Sequence, residues 1–209
     1  KRQEQPGIKS VLLYGLLGGL MALIRLQDGL FLALPFLARI PDVWRNLRGQ
    51  AARDSWRHWL RDGLIAGLVA LIVFSPQMIV WGQLYGDYFR SPYTYQQHPT
   101  LFFWLSPKLG AVLFSAFRGL FTWHPVFLLA LMGLPLTYRK HRKFAILGFL
   151  GFAVQWYLIS SWHSWIQGDA FGGRMFIVCT PIFILGLAHL IDWTTNRWSW
   201  TVVYTLGGL

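Results

Sequence analysis

Acidic residues are scarce in this sequence: eight Asp and Glu stand among 209 residues, against nineteen Lys and Arg. Charged residues of both signs make up only 13%, where a soluble domain carries about a quarter, and hydrophobic residues make up 55%. With a mean hydropathy of +0.41, that balance excludes an ordinary soluble globular domain. The single cysteine, Cys179, sits in an apolar run, so no internal disulfide forms and the redox compartment stays open. The sequence also lacks a Gly-rich nucleotide loop, a Ser/His/Asp arrangement and any Cys/His metal-ligand spacing, so no metal site or cofactor is expected within it. It shows no internal repeat, no low-complexity tract and no signal peptide. It begins at Lys1 without Met and ends at Leu209 inside an apolar run. The expectation is a fragment of a longer membrane protein. A formal charge of +11 would suggest nucleic acid in a soluble chain. Here the positive-inside rule accounts for it, and no nucleic-acid partner is expected.

What the sequence does have is apolar runs longer than a globular core uses. Val11–Ile24 is followed by the polar stretch Arg25–Gly29 and a second run, Leu30–Ala38, closing at Arg39. Two short, tilted helices meeting in a polar turn fit this better than one long helix, because each charge near the bilayer centre costs roughly 2.5–3.5 kcal/mol. Residues 39–62 hold six arginines and three aspartates. Within them Ala52, Trp56, Trp59 and Leu60 share one helical face, opposite Arg53, Asp54, Arg57, His58, Arg61 and Asp62. That pattern predicts an amphipathic helix lying on the membrane surface.

Gly63–Gly86 is the cleanest spanning run, with Pro76 placed to kink it. Residues 87–124 form a polar-aromatic outer loop, whose apolar stretch up to Phe117 reads as a re-entrant or surface helix. Pro125 suits the first position of the next helix. Val126–Tyr138 then spans, 139–143 is a basic turn, Phe144–Ile159 spans back, and 160–174 is a second outer loop. Met175–Ile191, a polar turn at 192–198 and a last apolar run complete the chain.

The expected fold is all-α: one polytopic transmembrane helical bundle over 1–209, with about six to seven membrane helices and a cytoplasmic interfacial helix. Twelve Trp, eight Tyr and sixteen Phe fit aromatic belts at the two interfaces. Placing the N-terminus, 39–62, 139–143 and 192–198 on one side collects fourteen Lys and Arg there and leaves five on the other. The richer side is cytoplasmic.

This parity places Arg25, Gln27, Asp28, Asp87, Arg90, Arg118, His124, His163, Asp169 and Arg174 on the non-cytoplasmic face. A scattered cationic set at a membrane surface suits phosphate, because guanidinium binds its oxygens in a bidentate fork. Gly172-Gly173-Arg174 opens a helix, whose backbone N–H groups add to an anion site. Each residue also has a duller reading. Arg174 as an interfacial arginine snorkels to headgroups, and Asp169 caps the helix or pairs with Arg174. His163 packs among tryptophans, Arg25 and Asp28 form a local ion pair, and Asp87 is a solvated loop residue. Trp123, Trp162 and Trp165 suit either sugar stacking or the aromatic belt. His189 and Asp192 share a helix face without a third ligand.

Three segments carry a resemblance. Leu16–Asp28 resembles the helix-then-basic-residue turn of membrane glycosyltransferases of the C fold, in the branch of bacterial relatives of protein O-mannosyltransferases and of lipid A aminoarabinose transferase. Gly119-Leu120-Phe121-Thr122-Trp123-His124-Pro125 resembles their GLF-W-P segment. Gly168-Asp169-Ala170-Phe171-Gly172-Gly173-Arg174, with Thr180-Pro181 following, resembles their G-SFG-R loop. This chain departs from the pattern at Asp169, where relatives often carry Ser, and at Arg25-Leu26-Gln27-Asp28.

The resemblance implies a glycosyltransferase of the bacterial plasma membrane. It would move a sugar from a polyprenyl-phosphate carrier to a lipid, glycan or protein acceptor on the non-cytoplasmic face. It implies that Arg174 and Arg25 hold the carrier phosphate; Arg118, His124, His163 and Asp169 join them as binding candidates from their shared expected face. The catalytic base is expected upstream of Lys1, with Asp28 and Asp169 as weaker candidates here, and a divalent metal belongs to the full-length protein. Rival classes are a transporter or flippase of an anionic lipid-linked substrate, which favours ionisable groups near the midplane and repeated broken helices, and an assembly subunit.

Overall fold

The computed structural model describes residues 7–40, 50–89, 102–168 and 172–197, apart from the side chains of 50–55 and 197. Among them the chain is all-helical, and its one extended pairing is an isolated antiparallel bridge between Phe102 and Trp162. Three helical stretches are long and apolar enough to cross a membrane: Trp56–Tyr85, Arg142–Ser161 and Arg174–Asn196. Ile8–Ile24 and Leu26–Leu37 are shorter apolar helices. Large apolar side chains face outward along the first span, with Leu64 67%, Leu68 59% and Ile72 69% exposed. Water would drive such a surface to associate, whereas lipid solvates it.

The chain divides into two compact units, Lys1–His98 and Pro99–Leu209. In the first, α1 (Ile8–Ile24) leads through extended Arg25 into a 3-10 turn (Leu26–Leu32), a short α2 (Ala33–Leu37) and then α3 (Gln50–Tyr85). The faces of α1 and α3 meet through small residues. A methyl group on Gly15 would lie 2.6 Å from the Ala66 carbonyl oxygen, and one on Gly19 would lie 2.6 Å from the Val73 Cβ. Such approach lets helix backbones gain dispersion contacts where no hydrophobic drive exists.

The sequence divides at Gly63 into a surface helix and a span, but the structure runs one 36-residue helix through that point. A lone interior glycine costs about 1 kcal/mol relative to alanine, too little to end a helix that continues on both sides. Asp62 is also not on a solvent face: it is 1% exposed. Arg39 Nη1 donates to its Oδ2 at 2.9 Å and Arg61 Nη2 to its Oδ1 at 3.1 Å. Trp59 Nε1 donates to the Phe36 carbonyl at 3.0 Å, so the end of α2 is fastened to the same stretch of α3. Residues 41–49, which complete the expected surface segment, lie outside the described residues, as do the side chains of Ala52, Arg53 and Asp54.

The helix also runs through Pro76. Proline has no N–H to give the carbonyl four residues back, which here is Ile72. Ser75 Oγ donates to that Ile72 carbonyl at 2.7 Å, supplying a donor where hydrocarbon offers none.

The second unit contains α4 (Leu109–Phe114), α5 (Leu120–Trp123), α6 (Pro125–Lys140), α7 (Arg142–Ser161), a 3-10 turn (Arg174–Cys179) and α8 (Thr180–Arg197). Pro125 stands at the start of α6 as its sequence position suggests. The apolar stretch before Phe117 is not one helix. It yields only the six-residue α4, closed by extended Ser115.

Upstream, 102–109 crosses the end of α7 and satisfies carbonyls that a helix C-terminus leaves open. Phe103 N donates to the Ser161 carbonyl at 2.6 Å and Lys108 N to the Ser160 carbonyl at 2.8 Å. Trp156 Nε1 and Tyr157 Oη reach back to the carbonyls of Leu109 and Trp104. Gly133 on α6 and Gly186 on α8 bring those helices into backbone contact. Phe127 stacks on Phe183 with ring centroids 4.3 Å apart, and Phe152 bridges Phe183 and Phe176 to complete the core.

Candidate functional site

The loop after α7 is held in an unusual backbone shape. Gln167 has φ +68, rare for a residue with a side chain, and Gly168 and Gly173 follow with φ +68 and +63. Left-handed backbone at a residue other than glycine costs on the order of 1–3 kcal/mol and persists where surrounding contacts over-determine it. Those contacts are present. Gln167 is 2% exposed, and its Oε1 accepts the Met175 N–H at 3.0 Å. Gln155, on α7 and fully buried, donates from Nε2 to the Met175 carbonyl at 2.8 Å.

The segment around α5 packs against this loop. Arg118 Nη1 reaches the Ile166 carbonyl at 3.5 Å, and His124 Nε2 meets the Gly172 carbonyl at 3.0 Å. Gly172 is bare because the Trp123 ring lies there: a methyl group would fall 2.7 Å from Trp123 Cβ. The Trp123 indole N–H donates to the Ala116 carbonyl at 3.1 Å. A methyl group on Gly173 would fall 2.7 Å from Leu120 Cδ1. Arg174 is exposed, and its guanidinium passes over Gly168, 3.1 Å from where a Cβ there would stand. His163 is half-buried and meets Trp162 edge to face, with centroids 5.4 Å apart.

Four of the sequence-derived candidates, Arg118, His124, His163 and Arg174, therefore share one loop cluster in the second unit. Asp169 lies outside the described residues, and so do Arg90 and the rest of 90–101. Arg25 and Asp28 belong to the first unit. There the Asp28 N–H donates to the Arg25 carbonyl at 2.9 Å. Asp28 is 5% exposed, and its Oδ1, like Gln27 Nε2, has no hydrogen-bond partner among the described residues. Asp87 accepts the Phe89 N–H at 2.9 Å in a local turn, the loop arrangement typical of Asx residues.

The two glutamines are what sequence reasoning missed. Gln155 is the one amide in the apolar run Phe144–Ile159, and a lone polar group in such a run is a signal in itself. Gln155 Oε1, Gln167 Nε2, Ser160 Oγ and Ser161 Oγ are buried and have no hydrogen-bond partner among the described residues.

The arrangement presents cations and a histidine at the mouth of two spans, beside indoles and unsatisfied polar atoms. Among the described residues, no group of three or more His, Cys, Asp or Glu side chains comes together to hold a metal. Set against protein-family models, curated proteins and solved structures, the chain matches none of them.

Proposed function

We propose that this chain belongs to an integral membrane glycosyltransferase that takes a sugar from a polyprenyl-phosphate carrier and gives it to an acceptor on the non-cytoplasmic face. The observation that carries the reading is the convergence of Arg118, His124 and Arg174 on one strained loop. That loop joins the end of the span Arg142–Ser161 to the start of the span Arg174–Asn196. In this reading about six to seven helices cross the membrane: α1, Leu26–Leu37, α3, α6, α7, α8 and the last apolar run. The basic segments 39–62, with the first turns of α3 at the interface, and 139–143 lie at the cytoplasmic side of a bacterial plasma membrane. By the count of Lys and Arg, Arg25 and Asp28 are assigned to the non-cytoplasmic side.

The chemistry follows from charge. An acceptor hydroxyl oxygen attacks the anomeric carbon, and the bond from that carbon to the phosphate oxygen breaks. The phosphate leaves with the electron pair, and the hydroxyl proton passes to a base supplied by the full-length protein. Negative charge grows on the departing phosphate, and a guanidinium positioned there in a water-poor site lowers the barrier by about 3 kcal/mol. Trp123, 41% exposed, offers a face for the sugar ring. A divalent metal belongs to this reading only in the full-length protein.

The test is reconstitution of the full-length protein in liposomes with a panel of polyprenyl-phosphate hexoses and pentoses. The expected result is cleavage of the sugar–phosphate bond with the sugar recovered on an acceptor. Movement of intact carrier across the bilayer without cleavage would instead establish transport. Neither event, with an intact multiprotein complex, would establish an assembly role.

A further inference from the structure

The Met175 backbone is gripped from both sides, at its N–H and at its carbonyl. Its N–H is among the first in the 3-10 turn Arg174–Cys179, where a helix offers its own amides no partner. Gln167, eight residues earlier, supplies the missing acceptor, and Gln155, twenty residues earlier on α7, takes the carbonyl side. The amide orientations are fixed by the partners, because a peptide N–H only donates and a carbonyl only accepts. Both glutamines are buried, and Gln167 keeps its grip at the cost of a left-handed backbone. One residue before Met175 stands Arg174, with its guanidinium over Gly168, the residue after Gln167. The same short segment thus carries the strain, the two buried amides and the exposed cation.

We propose that Gln155 and Gln167 form a peptide clamp that positions Arg174, fixing where its guanidinium sits over the loop and thereby the loop's affinity for a phosphate-bearing lipid. The clamp stands on geometry alone. Its service to a phosphate rests on the proposed function. Gln155 and Gln167 are positioning residues: they act on the anion through Arg174 and do not touch it. A buried amide whose only task were to fill space would instead be replaceable by an isosteric thioether.

The test uses the full chain in dodecylmaltoside micelles, with Gln155→Met and Gln167→Met, and with Gly168→Ala as a variant that crowds the guanidinium and strains a left-handed residue while leaving both amides in place. The first readout needs no ligand: the rate at which phenylglyoxal modifies Arg174, followed by peptide mass spectrometry. The clamp predicts a rate about tenfold higher in the glutamine variants, the scale of one lost hydrogen bond, together with faster deuterium exchange at the Met175 amide. The second readout is binding of farnesyl phosphate. Each variant weakens it about tenfold, and the glutamine changes have no further effect once Arg174 is Ala.

Wild-type modification and exchange rates in both glutamine variants would overturn the clamp. So would losses of farnesyl phosphate affinity that simply add to that of Arg174→Ala, because they would mark a structural role independent of the arginine. If the glutamine variants do not fold, fast exchange of the wild-type Met175 amide overturns the clamp, and a Gly168→Ala protein with unchanged Arg174 modification does so as well. If farnesyl phosphate does not bind the wild type while the glutamine changes still release Arg174, the clamp stands and the phosphate reading falls.

Discussion

Asp62→Ala gives the sharpest stability prediction. The carboxylate is 1% exposed and faces two guanidinium groups whose side chains differ in burial, Arg39 at 23% and Arg61 at 56% exposure. Unit charges about 4 Å apart attract by roughly 4 kcal/mol at an effective dielectric constant near 20, and desolvation offsets much of that. Removing one partner of a buried pair costs about 3–5 kcal/mol because the other charge is stranded. Arg39 can extend partly toward water, which puts the expected loss for Asp62→Ala near the lower end, about 3 kcal/mol.

The two arginines must then couple unequally. Double-mutant cycles should give about 2 kcal/mol for Arg39 with Asp62, and no more than about 1 kcal/mol for Arg61, whose exposure screens the pair. The assay is reversible unfolding of the full chain in mixed dodecylmaltoside and dodecyl sulfate micelles, followed by tryptophan fluorescence. Equal coupling to both arginines, or a loss below about 0.5 kcal/mol for Asp62→Ala, would refute the burial argument.

Three further outcomes follow from single contacts. Ser75→Ala should cost about 1 kcal/mol in the same unfolding assay, and the cost should vanish in a Pro76→Ala background, where the Ile72 carbonyl regains a backbone donor; equal cost in both backgrounds contradicts the substitution of hydroxyl for amide. Gly173→Ala should lose about 2 kcal/mol, combining roughly 1–2 kcal/mol for left-handed backbone with the contact 2.7 Å from Leu120 Cδ1; a neutral outcome would mean that the loop's backbone shape is not required. Lys140→Ala should leave the unfolding transition essentially where it is in wild type, because Lys140 and Asp192 are 60% and 47% exposed, and a large loss would show that the pair is shielded from solvent.

Where an element depends on its own residues, the sequence was readable. Pro125 marked a helix start, 139–143 marked the turn between α6 and α7, and the polar stretch 160–174 marked the break between two spans, each by chemistry local to the segment. Where a residue depends on a partner far along the chain, it was not. Asp62 looks solvated on a helical wheel because Arg39, which buries it, is 23 residues away. Gln155 looks like an accident in a span until the Met175 carbonyl arrives from 20 residues further on.

The stretch before Phe117 has the hydropathy of a helix but is spent in part as extended chain, because the open carbonyls of Ser160 and Ser161 recruit its N–H groups. Charge counting collected Arg118, His124 and Arg174 on one expected side, and that much of the grouping was legible as an expectation. The closeness of His124 to Gly172 was not, since it requires the tertiary fold. Motif spacing pointed to Arg174 and said nothing of what holds it.

The central claim concerns Arg174 and a departing phosphate, and sugar transfer tests it most directly. The measurement is the single-turnover rate of transfer from polyprenyl-phosphate sugar by the full-length protein in liposomes, comparing Arg174→Ala with Arg139→Ala at the opposite end of the helices. The account predicts a fall of more than about 100-fold for Arg174→Ala, the equivalent of about 3 kcal/mol, with Arg139→Ala within about twofold of wild type. Equal rates for wild type and Arg174→Ala would contradict it.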